Sequence, residues 1–395
     1  MKKLQLKPVK LGLEQILTDQ AELLKNMRVG LICNQASVNH SFQHAADLLY
    51  RNPAVNLVAL FGPQHGIRGD VQDNMIETRH GQDKLTGLPV YSLYSETREP
   101  SREMLLDIDA LVFDLQDVGC RVYTFIYTMA NAMRACALHN KKMIILDRPN
   151  PIGGVAVEGN SLEEGHESFV GQYPIPMRHG LTVGELAKLF NEEFAFNCDL
   201  KVVAMNGWER NCYYDETDAP WIMPSPNMPT VETAAVFPAT VYFEGTQVSE
   251  GRGTTRPFEI VGAPYIDADD YAEALASLEL PGIIFRPVNF LPTFQKHAGE
   301  VCGGVFVHIT NRKTFEPVIS GLGMVKTAFD LYPDDFKWKN PPYEYVYDRN
   351  PFDVIAGTTR IREMFEEKTD LKSIKLSWQK DVKDFEQIRD KYLLY

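Results

Sequence analysis

Positive charge is in short supply in this sequence. Against 53 Asp and Glu it carries 40 Lys and Arg, a formal net charge of −13, and that sign repels phosphate backbones and anionic lipid surfaces. Neither nucleic acid nor a membrane is expected as a partner. Cysteine is sparse as well: Cys33, Cys120, Cys136, Cys198, Cys212 and Cys302 are scattered without a CxxC pair. That spacing excludes a disulfide framework and a cysteine zinc site, and leaves the thiols to pack as small apolar groups. No apolar run is long enough to span a bilayer, and the residues after Met1-Lys-Lys lack the apolar stretch of a secretion signal. A cytoplasmic location is expected, or a secreted or periplasmic one if a leader has been removed.

The common cofactor and hydrolase signatures are missing too. The turn after the first predicted strand reads Cys33-Asn-Gln-Ala-Ser37, with neither GxGxxG nor GxxxxGK[ST], so dinucleotide or ATP binding by those devices is excluded. HExxH and GxSxG are absent, which removes support for a zincin or an α/β-hydrolase elbow. No cofactor and no metal are expected. There is no internal repeat and no low-complexity tract.

What is present is a globular composition, 44% apolar and 24% charged, over a length that suits two domains. Short Val-, Ile- and Leu-rich runs at residues 28–33, 56–61, 89–93, 110–114 and 143–147 are separated by helical patterns at 42–50 and 123–139. This alternation predicts an α/β fold, a Rossmann-like doubly wound parallel sheet buried on both faces. A helix at 182–196, opened by a Thr182/Glu185 capping box, and a strand at 200–204 extend it. The Pro-rich stretch 220–229 reads as a linker, dividing residues 1–230 from a smaller α+β C-terminal domain, 231–395. Strands are expected there at 282–288 and 303–309, with helices at 268–278 and 315–331 and a charged pair after Thr358.

Each N-terminal apolar run ends abruptly in polar residues: Asn34-Gln35, Pro63-Gln64-His65, Asp114-Leu-Gln116-Asp117 and Asp147-Arg148-Pro-Asn150. Ligands of open α/β sheets bind outside the carboxyl ends of the strands, so these clusters are expected to converge on one crevice. Gln64, His65, Arg68 and Asp70 lie around two glycines that let the backbone approach a ligand, although a capped turn explains His65 equally simply. Asp114, Asp117, Arg121 and Tyr123 exceed what one helix cap requires, and Asp117 is the natural cap. Arg148 and Asn150 are either sugar contacts or ordinary turn chemistry, and His179 is open in the same way. Further on, Glu244-Gly-Thr-Gln-Val-Ser-Glu250-Gly-Arg252-Gly-Thr254-Thr255 concentrates acids, arginine and hydroxyls on a glycine-rich loop suited to a polyhydroxylated ligand.

These stretches together resemble the exo-β-N-acetylmuramidases of the NamZ type. FGPQHGIRGD, VFDLQDVGCRVYTFIYTM, LDRPNPIGG, YPIPMRHGLTVGELA, PSPNMPT and FEGTQVSEGRGTTRPFE run in the family's order and span nearly the whole chain. The resemblance implies an active-site cleft at the domain interface and release of N-acetylmuramic acid from the non-reducing end of peptidoglycan fragments. Such a sugar carries a lactyl carboxylate, for which Arg68, Arg121, Arg148 and Arg252 are the candidate partners.

One position departs from the family's pattern, which has Pro-Glu-His-Gly where this chain has Pro63-Gln64-His65-Gly66. The resemblance implies an acid/base role for that glutamate, and Gln64 cannot take it. Glycoside cleavage needs a proton for the leaving oxygen and usually a second carboxylate. Glu77, on the same loop, or Glu250 is then the candidate donor, with Asp114 as partner carboxylate or orienter of His65. Alternatively Gln64 orients water or the acetamido group while the substrate's own N-acetyl carbonyl assists, the chain binds amino sugars without cleaving them, or it cleaves another glycan. Retention or inversion is left open, since it depends on the carboxyl separation.

Overall fold

The computed structural model describes residues 6–72 and 75–395. In its first region the strands are β1 (Arg28–Cys33), β2 (Asn56–Gly62), β3 (Gly81–Gln82), β4 (Pro89–Ser92), β5 (Ala110–Asp114), β6 (Lys142–Leu146), β7 (Glu158–Ser161), β8 (Pro176–Arg178) and β9 (Asp199–Val203). Seven of these make one sheet in the order β3-β4-β2-β1-β5-β6-β9. Only the edge strand β3 is antiparallel. The six parallel strands, counted along the chain, therefore run 3-2-1-4-5-6, the doubly wound order whose switch point lies here between β1 and β5.

Alternation along the strands explains why both faces are covered. Ile32, Phe113 and Ile145 point into one apolar cluster with the helices Phe125–Leu138 and Val183–Glu193. Their neighbours Leu31, Val112 and Ile144 point into a second, with Leu13 and Ile16 of the helix Gly12–Leu17 and Ala45, Ala46 and Leu49 of the helix Ala45–Arg51. Successive side chains of a strand face opposite ways, so uninterrupted apolar runs need two covers. The Thr182 capping box is present: its hydroxyl accepts from Glu185 N at 3.3 Å, and Glu185 accepts from Thr182 N at 3.0 Å.

The second region holds a three-stranded antiparallel sheet, β10 (Ile260–Ala263), β12 (Cys302–Ile309) and β11 (Ile283–Phe290) in that order. Against it packs the helix Ala268–Ala276, which in turn contacts the helix Pro317–Leu331, and the latter also lies on the helix Val231–Thr240. Gly321 permits that crossing, since a Cβ there would meet Ala239 O at 2.0 Å. One expectation needs correction. The charged C-terminal pair is three helices, Arg360–Glu366, Leu371–Ser377 and Gln379–Arg389, because Asp370 caps a new start by accepting from Ser373 N at 2.9 Å. The antiparallel β7-β8 hairpin was not legible, as Glu158-Gly-Asn-Ser161 carries no apolar alternation. No helix of the described residues is long and apolar enough to cross a membrane.

Arg121 ties the regions together. Its side chain is wholly buried and donates to Asn160 O (2.7 Å) and Ile175 O (3.0 Å) from one nitrogen, and to Ala356 O (2.6 Å) and Ile355 O (3.3 Å) from the other. The last two carbonyls close the helix Pro351–Ala356, so the guanidinium caps a helix C-terminus and joins it to the β7-β8 hairpin. Replacing it orphans buried carbonyls, each costing about 1–3 kcal/mol. Arg121→Met is expected to lower the unfolding free energy in urea by at least about 2 kcal/mol, against the roughly 0.5 kcal/mol of an ordinary surface change.

Candidate active site

The polar clusters at the strand ends do meet, but largely to satisfy one another. Asp114 and Arg148, 0% and 2% exposed, form a two-point pair, Nε to Oδ1 at 2.5 Å and Nη2 to Oδ2 at 2.9 Å. Asn34 donates to Pro224 O at 2.9 Å and Asn150 to Leu181 O at 2.9 Å. Asp117 accepts from Gly119 N at 2.7 Å and stands 3.3 Å from His179. Gly119, at φ +80, lets this turn press on Asn150, whose Oδ1 would be 2.5 Å from any Cβ there. These six side chains and Arg121 line no part of the cavity described next. Arg68 is exposed and paired with Asp83, Glu77 is exposed beside it in a separate surface cleft, Thr254 is half-buried with its hydroxyl donating to Gly251 O at 2.6 Å, and Thr255 is exposed.

The structure instead brings Gln64, His65, Tyr123 and Arg252 to one cavity of about 510 Å³, counting its open mouth. Residues from the second region close it: Glu244 from the turn Val241–Gly245, Phe258 after the glycine-rich loop, and Tyr343 and Glu344 from the segment before the helix Pro351–Ala356. Tyr123, Phe237 and Phe258 pack edge to face along one wall, with centroids 5.9 and 4.8 Å apart. A second recess shares Glu244, Arg252, Tyr343 and Glu344 and adds Glu250, Lys296 and Lys339. His65 takes a left-handed backbone, φ 70, and its Nδ1 donates to Val71 O at 2.7 Å. The capped-turn explanation for this histidine and a place on the cavity wall therefore coexist.

A chain of charge crosses the floor. Lys296 donates to Glu250 Oε2 at 2.7 Å, and Arg252 reaches Glu250 Oε1 at 3.2 Å and Glu244 Oε1 at 2.6 Å. Tyr343 donates its hydroxyl to the other oxygen of Glu244 at 2.6 Å. Burial alone would push the Glu250 carboxyl up, but the Lys296 and Arg252 charges outweigh it and hold Glu250 below the usual range. Glu344 is placed differently. It accepts from Tyr94 Oη at 3.0 Å and, at a long 3.4 Å, from Gln64 Nε2, and burial pushes it up to about 7 despite both contacts. The Gln64 amide is fixed by the Thr124 hydroxyl, which donates to its Oε1 at 2.7 Å.

Two family models together span this architecture, the N-terminal model of exo-β-N-acetylmuramidase NamZ over residues 29–232 and its C-terminal model over residues 235–395. The chain belongs to the NamZ family. It is 49% identical over 387 residues to the peptidoglycan β-N-acetylmuramidase NamZ of Bacillus subtilis strain 168, covering 98% of this chain and 91% of that protein. Two crystal structures of DUF1343 family proteins from Bacteroides fragilis NCTC 9343 share its fold. One is 41% identical with a TM-score of 0.89, the other 31% identical with 0.76, and each comparison covers 98% of this chain and 99% of the other. Among the described residues no group of three or more His, Cys, Asp and Glu is gathered as for a metal ion.

Sequence reasoning within the NamZ pattern missed Thr124, Lys296, Lys339, Tyr343 and Glu344. The one available signal for Glu344 was an acid set between aromatics after two prolines, Pro341-Pro-Tyr-Glu-Tyr345. The Lys296 contact yields a test. A carboxylate held low contributes stability above its unfolded value near 4.5, and that contribution is lost as pH falls through the folded value. Lys296→Met is therefore expected to lose about 3–5 kcal/mol at neutral pH, with the gap to the unmodified protein narrowing as pH drops below about 4.5. Thermal melts from pH 3 to 8 would read both.

Proposed function

We propose that the protein is an exo-acting β-N-acetylmuramidase that removes N-acetylmuramic acid from the non-reducing end of peptidoglycan fragments. The observation that carries this reading is the cavity itself, where buried glutamates and an aromatic wall meet at the carboxyl end of a doubly wound sheet. Glycoside cleavage usually employs carboxyl groups flanking the scissile bond, and Glu244, Glu250 and Glu344 all border the two recesses. Family membership and the activity named for the Bacillus subtilis relative support the same chemistry. Residues 1–230 and 231–395 are taken as the two domains, with the substrate between them. A cytoplasmic role in recycling cell-wall fragments is part of this reading.

The lactyl carboxylate that marks a muramic sugar needs a cation, and Arg252 and Lys296 are already bound by Glu244 and Glu250. Lys339 is better placed. It lines the second recess 5.6 Å from the Tyr343 ring centroid, and among the described residues it forms no ion pair. Purified protein is expected to release N-acetylmuramic acid from N-acetylmuramyl-N-acetylglucosamine, which chromatography of the products reads directly. No release from it, or from a chromogenic β-N-acetylmuramide, contradicts the assignment. Lys339→Met is expected to raise KM about 10- to 100-fold with kcat little changed, the loss of one charge-assisted contact of about 1.5–3 kcal/mol.

A further inference from the structure

We propose that Glu344 is the catalytic acid of this chain, delivering its proton from Oε1 to the glycosidic oxygen, with Tyr94 and Gln64 as the residues that position it. The assignment rests on the muramidase reading above and names the donor within it. It starts from partners. Glu244 and Glu250 each have a guanidinium or ammonium group bonded to them. Glu344 borders the same cavity, is 2% exposed, and among the described residues has no cation bonded to it. A proton donor has to be the one carboxyl group that its surroundings do not force to ionise.

The hydrogen bonds also say which oxygen carries the proton. Tyr94 Oη accepts from Met75 N at 3.1 Å and from Gln64 Nε2 at 3.2 Å, so its own proton goes to Glu344 Oε2. With Oε2 taken as acceptor, the proton of the neutral carboxyl sits on Oε1. That oxygen has only the long contact to Gln64, and a ligand oxygen can displace it. Gln64 cannot ionise, so it adds no second charge beside Glu344, and Thr124 keeps its Nε2 turned inward.

The groups facing Glu344 come from several elements. Tyr94 and Gln64 lie on the sheet side, with Arg98 stacked on the Tyr94 and Tyr345 rings at 4.0 and 4.8 Å. Glu244 and Arg252, of opposite sign, face it from the second region. Burial dominates this set and pushes the Glu344 carboxyl up to about 7. The backbone is committed as well: Glu344 and Tyr345 both adopt left-handed conformations, φ 43 and 66, which are unfavourable for non-glycine residues. Such strain is maintained where a side chain must be aimed.

In the step, the bond from the anomeric carbon to the glycosidic oxygen breaks, and its electron pair stays with the oxygen. That oxygen takes the Glu344 proton and departs as the hydroxyl of the next sugar. Water supplies hydroxide to the anomeric carbon, and its remaining proton restores Glu344.

Kinetics on two substrates test the assignment, because a nitrophenolate leaves without a proton and a sugar hydroxyl does not. In the full chain, Glu344→Gln is expected to lose about 10²- to 10⁴-fold in kcat/KM on N-acetylmuramyl-N-acetylglucosamine but under about tenfold on the nitrophenyl β-N-acetylmuramide. Tyr94→Phe, which keeps Glu344 but removes a bond to its ionised form, is expected to move the alkaline limb of the disaccharide pH profile upward from about 7. Equal losses on both substrates with an unmoved alkaline limb overturn the role of Glu344 while leaving the muramidase standing. An unmodified protein that cleaves neither substrate overturns the muramidase reading, and this one with it.

Discussion

A charge taken out of water has to be paired, and that constraint sorts the polar residues of this molecule. Leaving a buried carboxylate or guanidinium without a partner costs several kcal/mol, so each strand end of the parallel sheet must find something to bind. Asp114 finds Arg148, Asn150 finds Leu181 O, and Arg121 finds four carbonyls across the junction. So engaged, these groups hold loops and regions together. Chemistry falls to the residues whose pairing is incomplete or made across the cavity.

The same constraint sets the electrostatics of the cavity. Two cations, Lys296 and Arg252, sit among three glutamates, and their contacts go to Glu250 and Glu244. That leaves an excess of one carboxyl group, and burial resolves the excess by favouring the neutral form of Glu344. One acid and neighbouring carboxylates at the same pH are what glycoside cleavage uses. The division arises from counting partners and needs no specialised device. Lys339, at the edge, adds a positive charge that an anionic sugar can meet.

Much of this organisation is legible in the sequence. Uninterrupted Val, Ile and Leu runs separated by helical patterns fix a parallel sheet with two covers, and the Thr182/Glu185 capping box marks its helix start to the residue. Gln64 and Arg252 are found because each lies in a polar, glycine-bearing loop. Glu344 is hidden for a physical reason: its bonding partners Tyr94 and Gln64 lie 250 and 280 residues away, and no local periodicity reports a contact of that span. Asp114 and Arg148 are visible as polar residues at strand ends, but their mutual neutralisation across 34 residues is a fact of packing. Sequence alone therefore offers them to the substrate when the fold has already spent them on each other.

In the proposed reaction the glycosidic bond lies against Glu344, in the cavity lined by both regions. A crystal structure of the Glu344→Gln variant with N-acetylmuramyl-N-acetylglucosamine bound tests it most directly. The glycosidic oxygen is expected within about 3 Å of the side chain at position 344, with the lactyl carboxylate toward Lys339. A disaccharide seated in the surface cleft beside Arg68 and Glu77, or one whose glycosidic oxygen faces Glu244 or Glu250 instead, would contradict it.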